Sequence, residues 1–381
     1  MLSKLRVELA IKSLFQKRRY KMSAEEYIQK MKMLQDNLLQ ILDTNNDNYE
    51  NFQDIIHKSK ILENKYEFKS FLHLIFKISN HHHRTVDFFI KIEKIFQLFK
   101  YDITKFFSNS EIFQLFKSNK RVLLILFDSK IIEMNEYISK IITNQYIDLQ
   151  YPQYFLPEIQ SFNKKEPFQI EGELPENFYE KRKIGENDNY ICQLIQKDSI
   201  NEFVFYTNLN NYSLDSTINQ SIFETNSFLL KNDKKVTLIE YAAFFGSIKI
   251  FLYLRNKVEV RQSIWQYAIH SDNAKIINQL ELNNIEPTNQ NYEECFKESI
   301  KCHHYSISDY IQNNYLQNEN TNDTLICCLK YYNFFYLQND FVNGSSFYFI
   351  CKYDYLLLAN IILNEFNIDI NEKIILNNHF Q

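Results

Sequence analysis

The stretch Thr237–Leu254, TLIEYAAFFGSIKIFLYL, restricts the fold of this chain more than any other segment. Thr237 and Glu240 lie three residues apart, which is the spacing of a reciprocal capping box at a helix start. Gly246 can adopt the left-handed conformation that ends a helix, and apolar residues recur at helical spacing on both sides of it. The stretch therefore predicts two short helices joined by a tight turn.

Small residues mark where the two predicted helices approach each other. Ala242 and Ala243 lie in the first helix, and Leu254 faces the core from the second. Ala242 provides a reference position against which downstream copies can be aligned. A helix pair buries its apolar face by stacking on a neighbouring pair, so a series of copies predicts a stacked array.

Weaker copies of the helix pair follow downstream. The second copy places Ala268 at the reference position and has Ser263 and Gln266 at capping-box spacing. The reference positions of the later copies are Ser299, Leu329 and Ile350. The first four reference positions are separated by 26, 31 and 30 residues. We therefore expect a repeat of about 30 residues, with its clearest copies over residues 237–371.

Glycine and proline are scarce, with 4 Gly and 5 Pro in 381 residues. Sandwiches and barrels use both residues in their many turns, and nucleotide-binding sheets use Gly in phosphate loops. We therefore expect an all-α chain. Four of the five prolines fall within residues 151–175, and this predicts an insertion that is not continuous helix. Apolar spacing predicts a helical N-terminal region over residues 22–104 and helix pairs over residues 105–381.

Residues 1–21 contain seven basic residues and one acidic residue, although the whole chain has a net charge of −4. Their amphipathic pattern is typical of a transit peptide or a membrane-surface helix. The sequence that follows Met22 has Ser23 and Glu26 at capping-box spacing and predicts a true helix start. We interpret residues 1–21 as an extension that is disordered or not native. The acidic remainder argues against binding to nucleic acid.

Consecutive histidines at His81, His82 and His83 are candidate metal ligands, since imidazole binds zinc and copper. Three consecutive side chains on a helix cannot converge on one ion, and no cysteine or acidic pair lies beside them at ligand spacing. We therefore expect these residues to occupy a loop or a helix cap, and we predict no metal site.

The cysteines near the C-terminal copies lack the two-residue separation of a zinc knuckle. We therefore expect these residues to be buried on helices, where cysteine behaves as a small hydrophobic side chain: Cys295, Cys302, His303, Cys327 and Cys328. The sequence contains no phosphate-binding loop, nucleophile elbow or HExxH motif. We predict that the chain has no catalytic residues and no cofactor, and that it is not an enzyme.

The sequence resembles the ankyrin repeat. Thr237–Glu240 corresponds to the family's Thr-Pro-Leu-His, Ala242 and Ala243 to its Ala-Ala, Gly246 to its turn glycine, and residues 369–371 to its terminal Asp-Val-Asn. The segments YPQYFLPEI, ELPENFYEKRKIGEND and YEECFKESIKCHH look like a family of uncharacterised ankyrin-like proteins expanded in parasitic protists. The resemblance implies an ankyrin-like solenoid with no established activity. The missing Pro and spacings below about 33 residues imply short fingers between helix pairs.

The register of the first helices leaves one row of side chains pointing away from the predicted core. This inner row comprises Tyr241, Phe244, Tyr267, His270, Glu298 and Lys301. Helix-pair arrays form extended concave surfaces, so we predict that the inner row contacts other proteins. The alternative for these aromatic residues is packing against neighbouring repeats.

We predict a non-catalytic scaffold or adaptor that binds other proteins through the concave face of the array. The alternative is an effector or regulator that acts at a membrane surface or on nucleic acid through residues 1–21. No apolar run is long enough for a transmembrane segment. Six scattered cysteines predict a reducing compartment, which is the cytoplasm or, alternatively, the nucleus.

Overall fold

A computed structural model describes residues 22–44, 48–144, 150–162, 174–230, 235–316, 321–337 and 344–365. The basic residues 1–21 and the ankyrin-like end at residues 369–371 lie outside the described residues. Regular structure in the described part is helical, apart from an isolated bridge between Thr217 and Thr237. The all-α prediction is confirmed. None of the described helices combines the length and apolar composition that a bilayer span requires.

Most of the described α-helices are joined by short connections, a longer irregular stretch precedes Leu238, and short 3₁₀ turns occur at Ile61–Glu63 and Thr288–Gln290. In chain order the helices are α1 Ala24–Asp43, α2 Tyr49–Ser59, α3 Lys65–His81, α4 Phe88–Leu98, α5 Lys100–Phe106, α6 Asn109–Phe116, α7 Lys120–Asp128, α8 Glu136–Ile142, α9 Gln150–Tyr154, α10 Leu156–Phe162, α11 Phe178–Ile184, α12 Tyr190–Gln196, α13 Ile200–Leu209, α14 Leu238–Phe244, α15 Ile248–Arg255, α16 Ile264–His270, α17 Ala274–Leu282, α18 Tyr292–Cys302, α19 Tyr305–Tyr315, α20 Thr321–Tyr331, α21 Gly344–Lys352 and α22 Leu356–Glu365.

The chain divides into two compact units. Unit 1 combines Met1–Lys77 with Gln317–Gln381, and unit 2 is Ile78–Leu316. This division differs from the predicted change of region near residue 104. Apolar periodicity reports which face of a helix is buried but not which helix covers it, so it could not pair the two ends of the sequence.

Unit 1 begins with α1, whose predicted capping box is present. The Ser23 backbone donates to Glu26 Oε2 at 2.8 Å, and the Glu26 backbone donates to Ser23 Oγ at 3.1 Å. Within this unit α1 packs against α22. The buried amide of Gln35 donates to Asn333 Oδ1 at 3.2 Å and accepts from the Phe334 backbone at 2.7 Å. Both hydrogen-bonding groups of this buried amide are therefore satisfied.

Unit 2 contains consecutive helix pairs: α12–α13, α14–α15, α16–α17 and α18–α19. The first helices of these pairs contact one another in the order α12, α14, α16 and α18. The second helices α13, α15 and α17 contact one another in the same order. The two middle pairs therefore each contact both the preceding and the following pair.

The features predicted to define the helix pair α14–α15 are present. The Thr237 backbone donates to Glu240 Oε2 at 2.9 Å, and the Glu240 backbone donates to Thr237 Oγ1 at 3.3 Å. Ala242 and Ala243 are fully buried, and Gly246 ends the helix with φ +70°. Leu254 in α15 and Ala268, the reference residue of the next pair, are also fully buried.

The second predicted capping box, at Ser263 and Gln266, is wrong. Ser263 has helical backbone angles and makes no cap hydrogen bond with its side chain. Its hydroxyl instead donates to Glu240 Oε1 at 2.6 Å. Glu240 therefore caps its own helix with one carboxylate oxygen and holds the next helix pair with the other. A contact with a preceding repeat has replaced the local capping interaction that the spacing predicted.

A residue with positive φ follows the first helix in four of the five aligned copies, four positions after the reference residue. Gly246, Asp272, His303 and Asp354 occupy this position after Ala242, Ala268, Ser299 and Ile350. Three of these turns are closed by a backbone hydrogen bond to the reference carbonyl, such as that from Ser247 to Ala242 at 2.9 Å. These four copies therefore share a left-handed residue at the same distance from the reference residue.

The reference position Leu329 is wrong by one residue. Tyr332 has φ +57°, and the Asn333 backbone donates to the Cys328 carbonyl at 3.0 Å, so Cys328 is equivalent to Ala242. The turns at Lys130 and Asp198 have the same geometry and were not predicted. Without glycine at the turn, sequence alone gives little warning of a left-handed residue.

The described part of the proline-containing insertion contains two short helices, α9 and α10, and is not one continuous helix. Pro152 and Pro157 lie in the first turns of α9 and α10, where the missing backbone donor would have no helical partner. Tyr154, Phe155 and Ile159 of these helices are fully buried, which fits an ordered insertion. Residues 163–173 lie outside the described residues.

Candidate functional site

The structure brings the predicted inner row together on α14, α16 and α18 of unit 2. Each of these helices contributes two residues three positions apart, which places both on one helix face. The rings of Phe244 and His270 stack with their centroids 5.3 Å apart. Glu298 Oε1 then lies 2.7 Å from His270 Nε2 and 2.6 Å from Lys301 Nζ.

The predicted exposure of the inner row is corrected by the structure. Tyr241, Phe244, Tyr267, His270 and Lys301 are buried, and Phe244 is the most exposed of the five at 8%. Glu298 is partly buried. Tyr241 packs within the array, since its hydroxyl accepts a hydrogen bond from Gln196 of the preceding pair at 2.8 Å. The alternative interpretation, packing on neighbouring elements, describes these side chains correctly.

The inner row is covered by Ser221–Leu230, an irregular segment that we call the covering segment. The Phe228 ring lies 4.1 Å from the His270 ring, 5.0 Å from the Tyr267 ring and 6.0 Å from the Phe244 ring, measured between centroids. The ammonium of Lys301 lies 5.4 Å from the centre of the same ring. Phe228 is 2% exposed, so it fills a closed space between the row and the rest of the covering segment.

The other half of the covering segment is held by the turn after α11. Ser221 Oγ donates to Asp188 Oδ1 at 2.7 Å, and Thr225 Oγ1 donates to the Gly185 carbonyl at 2.7 Å. Glu224 Oε1 accepts from the backbones of Thr225 and Asn226 at 2.9 and 2.7 Å. These hydrogen bonds replace regular secondary structure and fix the course of the segment toward Phe228.

Charge is concentrated at the end of the inner row. Burial alone would raise the pKa of Glu298, but the charge of Lys301 and the hydrogen bond with His270 hold this pKa well below its usual range. Both ionic partners of Glu298 come from the row itself.

Cys302 lies next to this network, with Sγ 3.5 Å from His270 Nδ1. Cysteine, histidine and carboxylate in this order are the groups of a nucleophilic triad. Here Cys302 is fully buried, and the Phe228 ring lies 4.1 Å from the His270 ring between centroids. The geometry is that of a packed polar cluster.

The predicted burial of the cysteines is confirmed. Cys295, Cys302, Cys327 and Cys328 are buried and are not in disulfide bonds, and His303 is buried at the end of α18. Burial raises the pKa of the Cys295 thiol to about 12, so this side chain behaves as a small hydrophobic group.

Three histidines from two distant parts of unit 2 form a second group, the histidine cluster of His82, His83 and His304. One ring nitrogen from each lies within 4.8 Å of the others. The closest approach is 3.2 Å, between His83 Nδ1 and His304 Nε2. Sequence reasoning treated His81, His82 and His83 as one set and missed His304. The turn between α18 and α19 brings His304 to this position.

The histidine cluster is held by backbone carbonyls. His82 Nδ1 donates to the Cys302 carbonyl at 2.7 Å, and His304 Nδ1 donates to the Ile269 carbonyl at 2.8 Å. Burial lowers the pKa of His304 well below its usual value, and the neighbouring His82 and His83 lower it further. His304 is therefore a neutral imidazole near pH 7.

No family model, no curated protein and no solved structure matches this chain. Its function is therefore inferred from the covered row and the histidine cluster.

Proposed function

We propose that this chain is a non-catalytic protein-binding scaffold of ankyrin-like helix pairs, which holds irregular polypeptide segments on its row of first helices. The series of contacts from α12 through α14 and α16 to α18 supports this proposal, because such rows provide extended surfaces for binding. The six described cysteines are not in disulfide bonds, which fits a reducing compartment such as the cytoplasm or nucleus.

The observation that carries the proposal is the covering segment. The row of first helices already holds ten residues of its own chain, with Phe228 seated on Tyr267 and His270 and facing the ammonium of Lys301. Aromatic rings and cations are the side chains that most often dominate polypeptide recognition. A partner segment with an aromatic residue at the Phe228 position would make the same contacts.

The covering segment occupies the surface on the first helices that a partner would bind. A partner must displace the covering segment or bind while that segment is out of place. Its apparent affinity is then reduced by the fraction of molecules in which the row is covered. Replacing the covering segment should therefore increase binding rather than abolish it.

A peptide titration tests this proposal. The full chain is prepared with residues 221–230 replaced by a Gly/Ser segment of equal length, and a labelled peptide SIFETNSFLL is titrated against it by fluorescence anisotropy. We expect saturable binding at one peptide per chain, and at least about tenfold weaker binding to the wild-type chain, whose row is covered.

The matched control is the peptide with alanine at the Phe228 position, SIFETNSALL. Loss of the buried ring is expected to weaken binding by at least about tenfold. Equal binding of both peptides to the replaced chain, or no binding by a chain whose helical circular dichroism is unchanged, would contradict the proposed recognition of a polypeptide by the first-helix row.

A further inference from the structure

We propose that His82, His83 and His304 bind a divalent transition-metal ion of the Zn²⁺ class, which joins the turn after α3 to the turn between α18 and α19. This inference is independent of the proposed protein binding, because the inner row and the covering segment contribute none of its ligands.

The positions of the ring nitrogens fit one metal ion. Zinc binds imidazole nitrogen at about 2.0–2.1 Å, so two nitrogens on a tetrahedral ion lie about 3.3 Å apart. His83 Nδ1 and His304 Nε2 are 3.2 Å apart, and His82 places a ring nitrogen within 4.8 Å of both. Small rotations of the His82 ring then complete a three-nitrogen site.

The tautomers of two ligands are set by their backbone partners. A carbonyl oxygen only accepts hydrogen bonds, so His82 Nδ1 facing the Cys302 carbonyl and His304 Nδ1 facing the Ile269 carbonyl each carry the proton. In the neutral ring the lone pair then belongs to Nε2. Metal-binding histidines are commonly held in this way, with the outer nitrogen donating to a carbonyl.

The class of ion follows from the donors. Imidazole nitrogens favour Zn²⁺, Co²⁺, Ni²⁺ or Cu²⁺ over Mg²⁺ and Ca²⁺, which prefer oxygen ligands. His82 and His304 are buried while His83 is half-buried, so the ion can enter from the His83 side. Three protein ligands leave a fourth tetrahedral position for water or another ligand.

The neighbouring group of His270, Glu298 and Cys302 also has metal-ligand side chains within 4.8 Å of one another. Its carboxylate is already paired with Lys301 at 2.6 Å. A cation entering that group would meet the ammonium charge at close range, which opposes binding. The histidine cluster contains no such cation among its three members, and it is therefore the better site.

Without an ion, His83 and His304 share a hydrogen bond. Hydrogen bonds alone can hold a polar cluster of this kind. A titration distinguishes a metal site from a cluster that binds no metal. The full chain is first treated with a chelator and dialysed, and ZnCl₂ is then added in a calorimeter at pH 7.5. We expect one Zn²⁺ per chain. In a parallel titration, Co²⁺ should give the visible absorption of a tetrahedral site without a thiolate charge-transfer band.

Variants assign the ligands. His83→Ala alters a half-buried residue and should fold, and it is expected to weaken Zn²⁺ binding by at least about tenfold. His304→Gln should weaken binding by a similar factor. His81→Ala removes a histidine next to the cluster and should change the affinity by less than about twofold.

Failure of the wild-type chain to bind Zn²⁺ more tightly than His83→Ala would overturn the assignment, and so would a cobalt spectrum with a thiolate band. His83→Ala is compared with the wild type only after its helical circular dichroism has been matched. These outcomes leave the peptide titration unaffected, so the two proposals fail separately.

Discussion

The helix pair α14–α15 and the covering segment lie in contact, but the sequence specifies them in different ways. Residues a few positions apart set the ends of α14, through the capping box at Thr237 and the left-handed turn at Gly246. The position of Phe228 is set by His270 and Lys301, which come much later in the chain. Local signals therefore place the helices, whereas distant contacts decide what covers them.

The same difference should appear in the energies. A helix cap contributes about 1 kcal/mol, while a buried aromatic ring or a buried charge with a lost partner involves several kcal/mol. If distant contacts hold the covered row together, substitutions there should cost more than substitutions at the cap. Trp265, the one tryptophan of the sequence, is buried in α16, and its fluorescence reports the unfolding of unit 2.

Lys301→Met is expected to have the largest effect. It leaves the partly buried Glu298 carboxylate without its ammonium partner, so we expect the free energy of unfolding to fall by about 3–5 kcal/mol. Urea unfolding followed by Trp265 fluorescence measures the change. The matched control is Lys297→Met on the same helix. Its ion-pair partner Glu294 is 56% exposed, so the expected loss is below about 1 kcal/mol.

Phe228→Ala is expected to lower the free energy of unfolding by about 3 kcal/mol, because it empties the closed space over the inner row. The control is Phe205→Ala on α13, where the side chain is 68% exposed, and its effect should remain within about 0.5 kcal/mol. Similar effects of the two substitutions in urea unfolding would show that Phe228 is not buried on the row in solution.

Glu186→Gln tests an electrostatic consequence of the same distant packing. The pKa of Glu186 is raised to about 7, chiefly by burial, while the charge of Arg84 lowers it and the charge of Glu224 in the covering segment raises it. A raised pKa in the folded state means that protonated Glu186 stabilises the fold below about pH 4.5, and that this contribution is lost as the pH rises through 7.

We therefore expect Glu186→Gln to gain stability relative to the wild type between pH 5 and pH 8, by about 1–3 kcal/mol, because glutamine cannot ionise. Urea unfolding at several pH values measures this difference. The exposed Glu202→Gln on α13 should leave the pH profile unchanged. A profile for Glu186→Gln that runs parallel to the wild type would show that Glu186 is not buried beside Glu224.

Thr237→Ala is expected to have the smallest effect, a loss of about 1 kcal/mol in the free energy of unfolding, because it removes a helix cap without creating a large cavity. Thr237→Ser keeps the hydroxyl and should restore most of the stability. A loss for Thr237→Ala larger than that for Phe228→Ala would reverse the proposed order of distant over local contacts.

Local patterns predicted much of the fold. The capping boxes at Ser23 and Thr237 are present, and the turns that follow Ala268, Ser299 and Ile350 have the predicted register. Each of these features depends on residues within one or two helical turns of one another. The alternation of apolar and polar residues could therefore indicate helices and their ends.

Other features required knowledge of distant contacts. Ser263 donates to Glu240 instead of capping its own helix, and His304 joins His82 and His83 across more than two hundred residues. The inner row was located correctly, but its exposure was not, because helical register indicates which side chains share a face and says nothing about an irregular segment that folds over it. The sequence did contain a signal for the cluster, namely the histidines in the turn after α3 and in the turn between α18 and α19.

A double-mutant cycle between Phe228 and Tyr267 tests the central claim, that the covering segment lies on the row of first helices. The two rings meet edge to face at 5.0 Å. If the claim holds, the losses in unfolding free energy for Phe228→Ala and Tyr267→Ala will be non-additive, with a coupling energy of about 0.5–1.5 kcal/mol. Losses that add within about 0.3 kcal/mol would show that the two residues do not touch, and would contradict the claim.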